Sequence, residues 1–142
     1  MIADLPDLIA KRAELSPAKV ALEEVATGRK RTYAELDENA GRAAALLAAR
    51  GVGEGDRVAI LCRNRIEFFE LLFGCAKLGA ILVPLNWRMP PAELDGLIAD
   101  CRPALLLYGA SDAATVAQLA DPMPAIALDE EYEGLLAAAR TK

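Results

Sequence analysis

The sequence contains no histidine. That removes the side chain most often used as a general base near neutral pH, and argues against a self-contained hydrolase. Cysteine is scarce as well. Cys62, Cys75 and Cys101 are odd in number and form no CxxC pair, so a zinc site would need scattered ligands. They read as reduced, mostly buried thiols behaving as small hydrophobes, and no metal ligands are assigned. No apolar run approaches the roughly 20 residues of a membrane span. The first residues, MIADLPDLIAKRAEL, carry acids where a signal peptide needs a basic start and a long apolar centre, so a cytoplasmic protein is expected. Positive charge is also in deficit: 16 Lys and Arg against 21 Asp and Glu give a net charge of −5. Such a balance argues against nucleic acid or an anionic membrane as the main partner. The acidic run Asp129, Glu130, Glu131 and Glu133 reads as solvated.

What remains, in 142 residues, is one domain's worth of chain, able to bury about two-thirds of its unfolded surface. The organising stretch is RVAILCRNRIEFFELLFGCAKLGAILVPLNWR, residues 57–88. Val58 to Leu61 form an apolar run suited to a buried strand. Asn64 and Glu67 then make an Asn version of a capping box, which starts a helix near Arg65. Gly79 supplies a residue for the left-handed end of that helix, and Ile81, Leu82 and Val83 form a second strand ending at Pro84. This is a βαβ unit with parallel strands. Within its helix the polar positions Glu67, Glu70, Gly74 and Lys77 fall on one narrow stripe, while Ile66, Phe68, Phe69, Leu71, Leu72, Phe73, Cys75 and Leu78 cover the rest. The stripe is expected to face solvent, and the broad apolar surface to need more covering than a small domain supplies.

Before this unit, Leu5, Leu8, Ile9 and Leu15 mark a short helix closed by Ser16 and Pro17. Val20 to Val25 and Lys30 to Thr32 read as a β-hairpin with Gly28 in its turn. Thr32 and Glu35 form a capping box for a helix carrying Tyr33, Leu36, Ala40, Ala43, Ala44 and Leu47 until Gly51, its alanine face suited to close approach to a sheet. The run GVGEGD ends a helix and precedes a strand, the wrong order for a dinucleotide fingerprint, so it reads as a tight turn. Past residue 88, Pro91 opens a helix, Ala104 to Tyr108 is a strand, Ala113 to Ala120 a short helix, Ala125 to Leu128 a fourth strand and Tyr132 to Arg140 a last helix.

The fold class is therefore α/β: a parallel, doubly wound sheet in the order β-α-β-α-β-α-β-α from Arg57, preceded by a helix, a hairpin and a helix over residues 1–56. Ligands of such sheets bind beyond the carboxyl ends of the strands. Those ends carry Arg63, Asn64 and Arg65, then Asn86, Trp87 and Arg88, then Gly109, Ala110 and Ser111. Guanidinium groups there suit phosphate or carboxylate; arginines on a rim also pair with nearby acids or stay solvated.

The segments RTYAELDENAGRAAALLAARGVGEGDRVAILCRN, EFFELLFGCAKLGAILVPLNWR and PAELDGLIADCRPALLL, covering residues 5–110, resemble the N-terminal part of the acyl-adenylate-forming (AMP-binding) superfamily, and LNWR resembles its acyl-CoA synthetases. Pro90 departs from the Ser or Thr often found before the next helix, which removes a local cap. The resemblance implies that residues 1–142 are the N-terminal subdomain of a larger ligase. It implies a two-step reaction using ATP, magnesium and CoA: a carboxylic acid becomes an acyl-adenylate and is then transferred to the CoA thiol. The family's phosphate loop, Tyr-Gly-x-Thr-Glu segment, ribose-binding aspartate and catalytic lysine lie downstream in relatives, so no catalytic residue is assigned, and none of the cofactors is expected on this portion alone. The arginine of the Asn-x-Arg segment, Arg88, matches a position that in some CoA ligases lies near the nucleotide phosphate of CoA; it otherwise pins its loop with Asn86, and Trp87 reads as rim packing. Two other readings stay open, a stand-alone α/β docking module and an acyl-AMP ligase serving a carrier protein, and self-association of the apolar surface is a further possibility.

Overall fold

The computed structural model describes residues 6–140. Its elements follow the expected order: α1 (Leu8–Leu15), β1 (Val20–Glu23), β2 (Lys30–Thr32), α2 (Tyr33–Ala49), β3 (Arg57–Leu61), α3 (Ile66–Leu78), β4 (Ile81–Pro84), α4 (Pro91–Cys101), β5 (Leu105–Tyr108), α5 (Ala113–Ala117), β6 (Ala125–Ala127) and α6 (Glu133–Ala138). Leu5, expected in the first helix, lies outside the described residues. The strands β3 to β6 form one parallel sheet in the order β4-β3-β5-β6, and β1 and β2 form the separate antiparallel hairpin.

Both sheet faces are covered, which is why its strands read as continuous apolar runs instead of alternating ones. Val58, Ile60, Leu105 and Leu107 face a core shared with Leu46 and Leu47 of α2, Leu71 and Cys75 of α3 and Leu136 of α6. Ala59, Leu61 and Leu106 face the opposite side, against Leu94 and Ile98 of α4, with Val116 and Leu119 beside them. Two local signals act as the sequence implies. The Thr32 side chain accepts from the Glu35 amide while the Glu35 carboxylate accepts from the Thr32 amide, closing the capping box of α2. Gly79 ends α3 at φ 78°, a left-handed conformation that glycine adopts without a Cβ penalty.

Five expectations are corrected. The polar stripe of α3 faces inward: Glu67 and Glu70 are each 2% exposed, and Gly74 is buried. Asn64 does not cap α3. The helix starts at Ile66, whose amide donates to Glu24 of the hairpin at 3.1 Å, so the cap comes from a different element. The alanine face of α2 approaches α3 rather than the sheet; a Cβ added at Gly74 would lie 2.9 Å from the Ala43 Cβ and 3.1 Å from the Ala40 carbonyl oxygen. Finally, α5 and α6 are shorter than expected, and Leu128–Tyr132 form a π-helical turn that ends β6. There the Glu131 carboxylate accepts from the Ala127 amide at 2.8 Å, so the acidic run is partly a structural cap and not merely solvated.

What lies outside is the opposite side of α3. Phe69 and Leu72 are each 37% exposed, and Ile81, on the edge strand β4, is 48% exposed. The poor covering expected of the crossover helix is thus confined to Phe69 and Leu72: Phe68 and Phe73 are half-buried, Phe68 against the core.

Candidate functional site

In the strand order β4-β3-β5-β6, the connection leaving β3 leads to β4 on one side and the connection leaving β5 leads to β6 on the other, so the crevice at the sheet's carboxyl edge opens between the ends of β3 and β5. Three loops meet there because the ladders run on past the strands. The Leu85 amide donates to the Ile60 carbonyl at 2.9 Å and the Gly109 amide to the Leu61 carbonyl at 3.0 Å. The rim therefore brings together Cys62 to Arg65, Leu85 to Pro90 and Gly109 to Asp112.

Its three arginines are in different states. Arg65 is committed to structure: its Nε donates to Glu67 at 2.8 Å and its Nη1 to Asp129 at 3.1 Å. Asp129 also accepts from the Ala110 amide, and the bond from Arg65, ahead of that from Ala110, holds its carboxyl below the ordinary aspartate range. Behind Arg65, the Glu67 carboxylate accepts from both terminal nitrogens of Arg29, and Arg29 also pairs with Glu24 at 2.8 Å. Burial alone would raise the Glu67 carboxyl, but the bonds from Arg65 and Arg29 overcome it and lower its pKa. This network welds the hairpin to α3 and to the loop after β5.

Arg63 is shared. Its Nη2 lies 3.5 Å from Asp112, and its guanidinium carbon sits 3.2 Å from the centroid of the Trp87 ring. Asp112 is only 2% exposed, and its Oδ2 is buried without a hydrogen-bond partner among the described residues. That burial, opposed only by the Arg63 charge, raises its carboxyl pKa.

Arg88 is exposed at the rim. Its amide donates to the Asn86 Oδ1 at 3.0 Å, so the loop is pinned by backbone, while its guanidinium lies 4.3 Å from the Trp87 centroid. Among the described residues no carboxylate lies within ion-pair distance of it. Of the rim positions named from the sequence, Arg63, Trp87 and Arg88 come together; Arg65 belongs to the buried network, and Asn64 is exposed. Asp112 was missed, because nothing in GASDAAT marks it as buried.

The thiols stand apart from this chemistry. Burial pushes Cys75 up to about 12 and Cys62 up to about 11, which leaves them protonated and inert near neutral pH. Among the described residues no group of three His, Cys, Asp or Glu could hold a metal ion, and no helix is long and apolar enough to cross a membrane. Two cavities lie elsewhere: one of about 970 Å³ runs along α2 between Gly41, Ala48 and Lys77, and one of about 440 Å³ lies between Val25 and Phe69.

Comparison with known proteins agrees with this fold. The AMP-binding enzyme family model matches residues 9–139. The long-chain-fatty-acid–CoA ligase FadD13 of Mycobacterium tuberculosis is 38% identical over 109 residues, which cover 77% of this chain and 22% of that protein. The feruloyl-CoA synthase of an Amycolatopsis species is 43% identical over 110 residues, covering 78% of this chain and 22% of that protein. Among solved structures, the N-terminal domain of FACL13 from Mycobacterium tuberculosis superposes with a TM-score of 0.88 at 34% identity, over 95% of this chain and 36% of that one. The chain thus spans 22% of the length of these curated relatives. With the family model spanning nearly all of its described residues and a parallel sheet that superposes on a solved N-terminal domain, the chain belongs to the AMP-binding enzyme family, whose N-terminal portion it matches.

Proposed function

We propose that this chain is the N-terminal subdomain of an ATP-dependent acid–CoA ligase, with residues 1–56 as lead-in and residues 57–142 as its parallel α/β unit. The whole enzyme activates a carboxylic acid as its acyl-adenylate and transfers the acyl group to the thiol of CoA. Activation is needed because a free carboxylate is a poor acyl donor, whereas the mixed anhydride with AMP turns its oxygen into a good leaving group. The curated relatives matched, named as fatty-acid and feruloyl ligases or synthases of CoA, support this class of reaction.

Within that enzyme, this chain contributes scaffold and one binding group. The observation that carries the reading is Arg88, an exposed guanidinium at the sheet's ligand edge with no carboxylate partner among the described residues, which suits a phosphate of CoA. The residues do not fit a magnesium–nucleotide site. Magnesium needs oxygen ligands, and the rim carboxylates Asp112 and Asp129 are turned to Arg63 and Arg65. ATP, magnesium and the acid are therefore held by other parts of the enzyme, which we place in the cytoplasm. A self-contained docking module would bury its own α3 surface; the exposure of Phe69 and Leu72 favours the enzyme reading, with that face covered by further protein or by a second copy.

The test is a pyrophosphate-release assay on the full-length product with fatty, aryl and short-chain acids, followed by mass detection of the thioester. Acid-dependent release with a CoA thioester supports the proposal. Release without CoA thioester, but with loading of a carrier protein, replaces it with an acyl-AMP ligase, and no release with any acid supports the docking module. For Arg88 the measurement is the KM for CoA: Arg88→Ala is expected to raise it about tenfold, the loss of one charge-assisted contact, and an unchanged value removes Arg88 from the site.

A further inference from the structure

We propose that Trp87 and Arg63 are positioning residues that hold the Arg88 guanidinium ready for its phosphate, a proposal that rests on the reading of Arg88 above. The observations form a chain. Asp112, buried after β5, lies 3.5 Å from Arg63; Arg63 stacks 3.2 Å from the Trp87 centroid; Arg88 lies against the same ring at 4.3 Å. The Trp87 side chain is itself fixed, because it packs on the core of Leu61, Leu85 and Leu94 beneath α4.

Charge explains why this arrangement implies a ligand. The face of an indole is electron-rich and attracts a cation, but two guanidiniums drawn to one ring also repel each other. Within the cluster a single carboxylate, Asp112, stands against two cations, and it lies nearer Arg63. The cluster keeps an excess positive charge that a phosphate dianion would neutralise. An arginine on a solvent-facing loop otherwise loses considerable rotamer freedom on binding, and a flat aromatic support removes part of that cost in advance. Trp87 thus acts through Arg88 without touching the ligand, and so does Arg63, which Asp112 anchors against the same ring and which confines the second guanidinium there.

The experiment uses steady-state kinetics of the full-length enzyme with CoA varied and ATP and acid saturating. Trp87→Leu is expected to raise the KM for CoA about fivefold with kcat within about twofold of the parent, the loss of a cation–π support. Trp87→Phe keeps an aromatic face and should restore most of that loss. Arg63→Met keeps the apolar stem and should raise KM about threefold by removing the cation that confines Arg88 on the shared ring. In an Arg88→Ala background both substitutions should have no further effect on KM. Equal rises with and without Arg88, no rise from either substitution in an enzyme where Arg88→Ala does raise KM, or a fall in kcat and melting temperature that Trp87→Phe fails to restore would overturn the positioning role. Should Trp87→Leu fail to fold, Arg63→Met and its combination with Arg88→Ala decide the matter alone. If Arg88→Ala itself leaves KM unchanged, the assignment of Arg88 falls first and takes this inference with it.

Discussion

The two sides of α3 invert the usual relation between polarity and burial. Its inner side carries Glu67, Glu70, Gly74 and Lys77; its outer side carries Phe69 and Leu72, both partly in solvent. The inner carboxylates are tolerated because each has partners in place: Glu67 accepts from Arg29 and Arg65, and Glu70 from Asn39 at 2.6 Å and from Tyr132 at 3.4 Å. Lys77 donates to Asp37 at 2.6 Å and to Asp7 at 2.8 Å, which ties α3 to α2 and to the cap of α1. Between the charges, Gly74 lets α2 and α3 touch. A polar stripe on a helix marks a face that needs partners, whether water or protein, and the partners decide which way it turns.

Breaking the inner side should cost most. Glu67→Ala leaves two guanidiniums facing a hole, and is expected to destabilise by about 3 kcal/mol, as when one partner of a buried pair is removed; urea unfolding followed by circular dichroism measures it. A change below about 1 kcal/mol would mean that the network is solvated. Gly74→Ala gains helix propensity of about 1 kcal/mol. The clash with Ala43 and the Ala40 carbonyl outweighs that gain, for a net loss of roughly 2 kcal/mol, because the blocking atoms include backbone. A stabilised Gly74→Ala variant would show that the helices can separate freely.

The outer side should respond less. Leu72→Gln is expected to cost about 1 kcal/mol or less in this chain, since the residue is already partly in water. A loss as large as that of Glu67→Ala would show that the face is packed in solution.

Acid titration separates the inner carboxylates from one another. The Arg29 bond, followed by that from Thr27, holds Glu24 down to about 2 against an ordinary value of 4.5, and Glu67 is lowered as well. Their folded pKa values lie below the unfolded ones, so the stability they supply is complete above the unfolded value and is lost as pH falls from 4.5 toward 2. Glu24→Gln should flatten that part of the stability curve. Burial raises Glu70 instead, so its charged form is disfavoured in the fold and its contribution declines as pH rises through 4.5. Glu70→Gln keeps an acceptor for Asn39 and should be the mildest inner-side change, within about 0.5 kcal/mol of the parent or slightly more stable at neutral pH.

Much of the fold was legible because the signals are local. Thr32 and Glu35 stand three residues apart and close their box without help, Gly79 meets a steric demand at its own position, and Val58 to Leu61 need only be apolar on both faces. The start of α3 was misread because Asn64 is a good local cap, yet Glu24, 42 residues earlier, reaches the Ile66 amide instead. Asp129 looked solvated for the same reason, its partner Arg65 being 64 residues away. At the rim the residue types were visible, but which of Arg63, Arg65 and Arg88 was already neutralised was not.

The sequence by itself determined the order of elements and the parallel βαβ units, because hydrophobic period, caps and turn residues act over a few positions. The tertiary structure alone decided that the charged side of α3 is the inside and that, among the described residues, Arg88 is the rim arginine with no carboxylate within ion-pair distance. Both outcomes depend on pairings between residues far apart in the chain, where Coulomb attraction and desolvation are settled only once the partners meet.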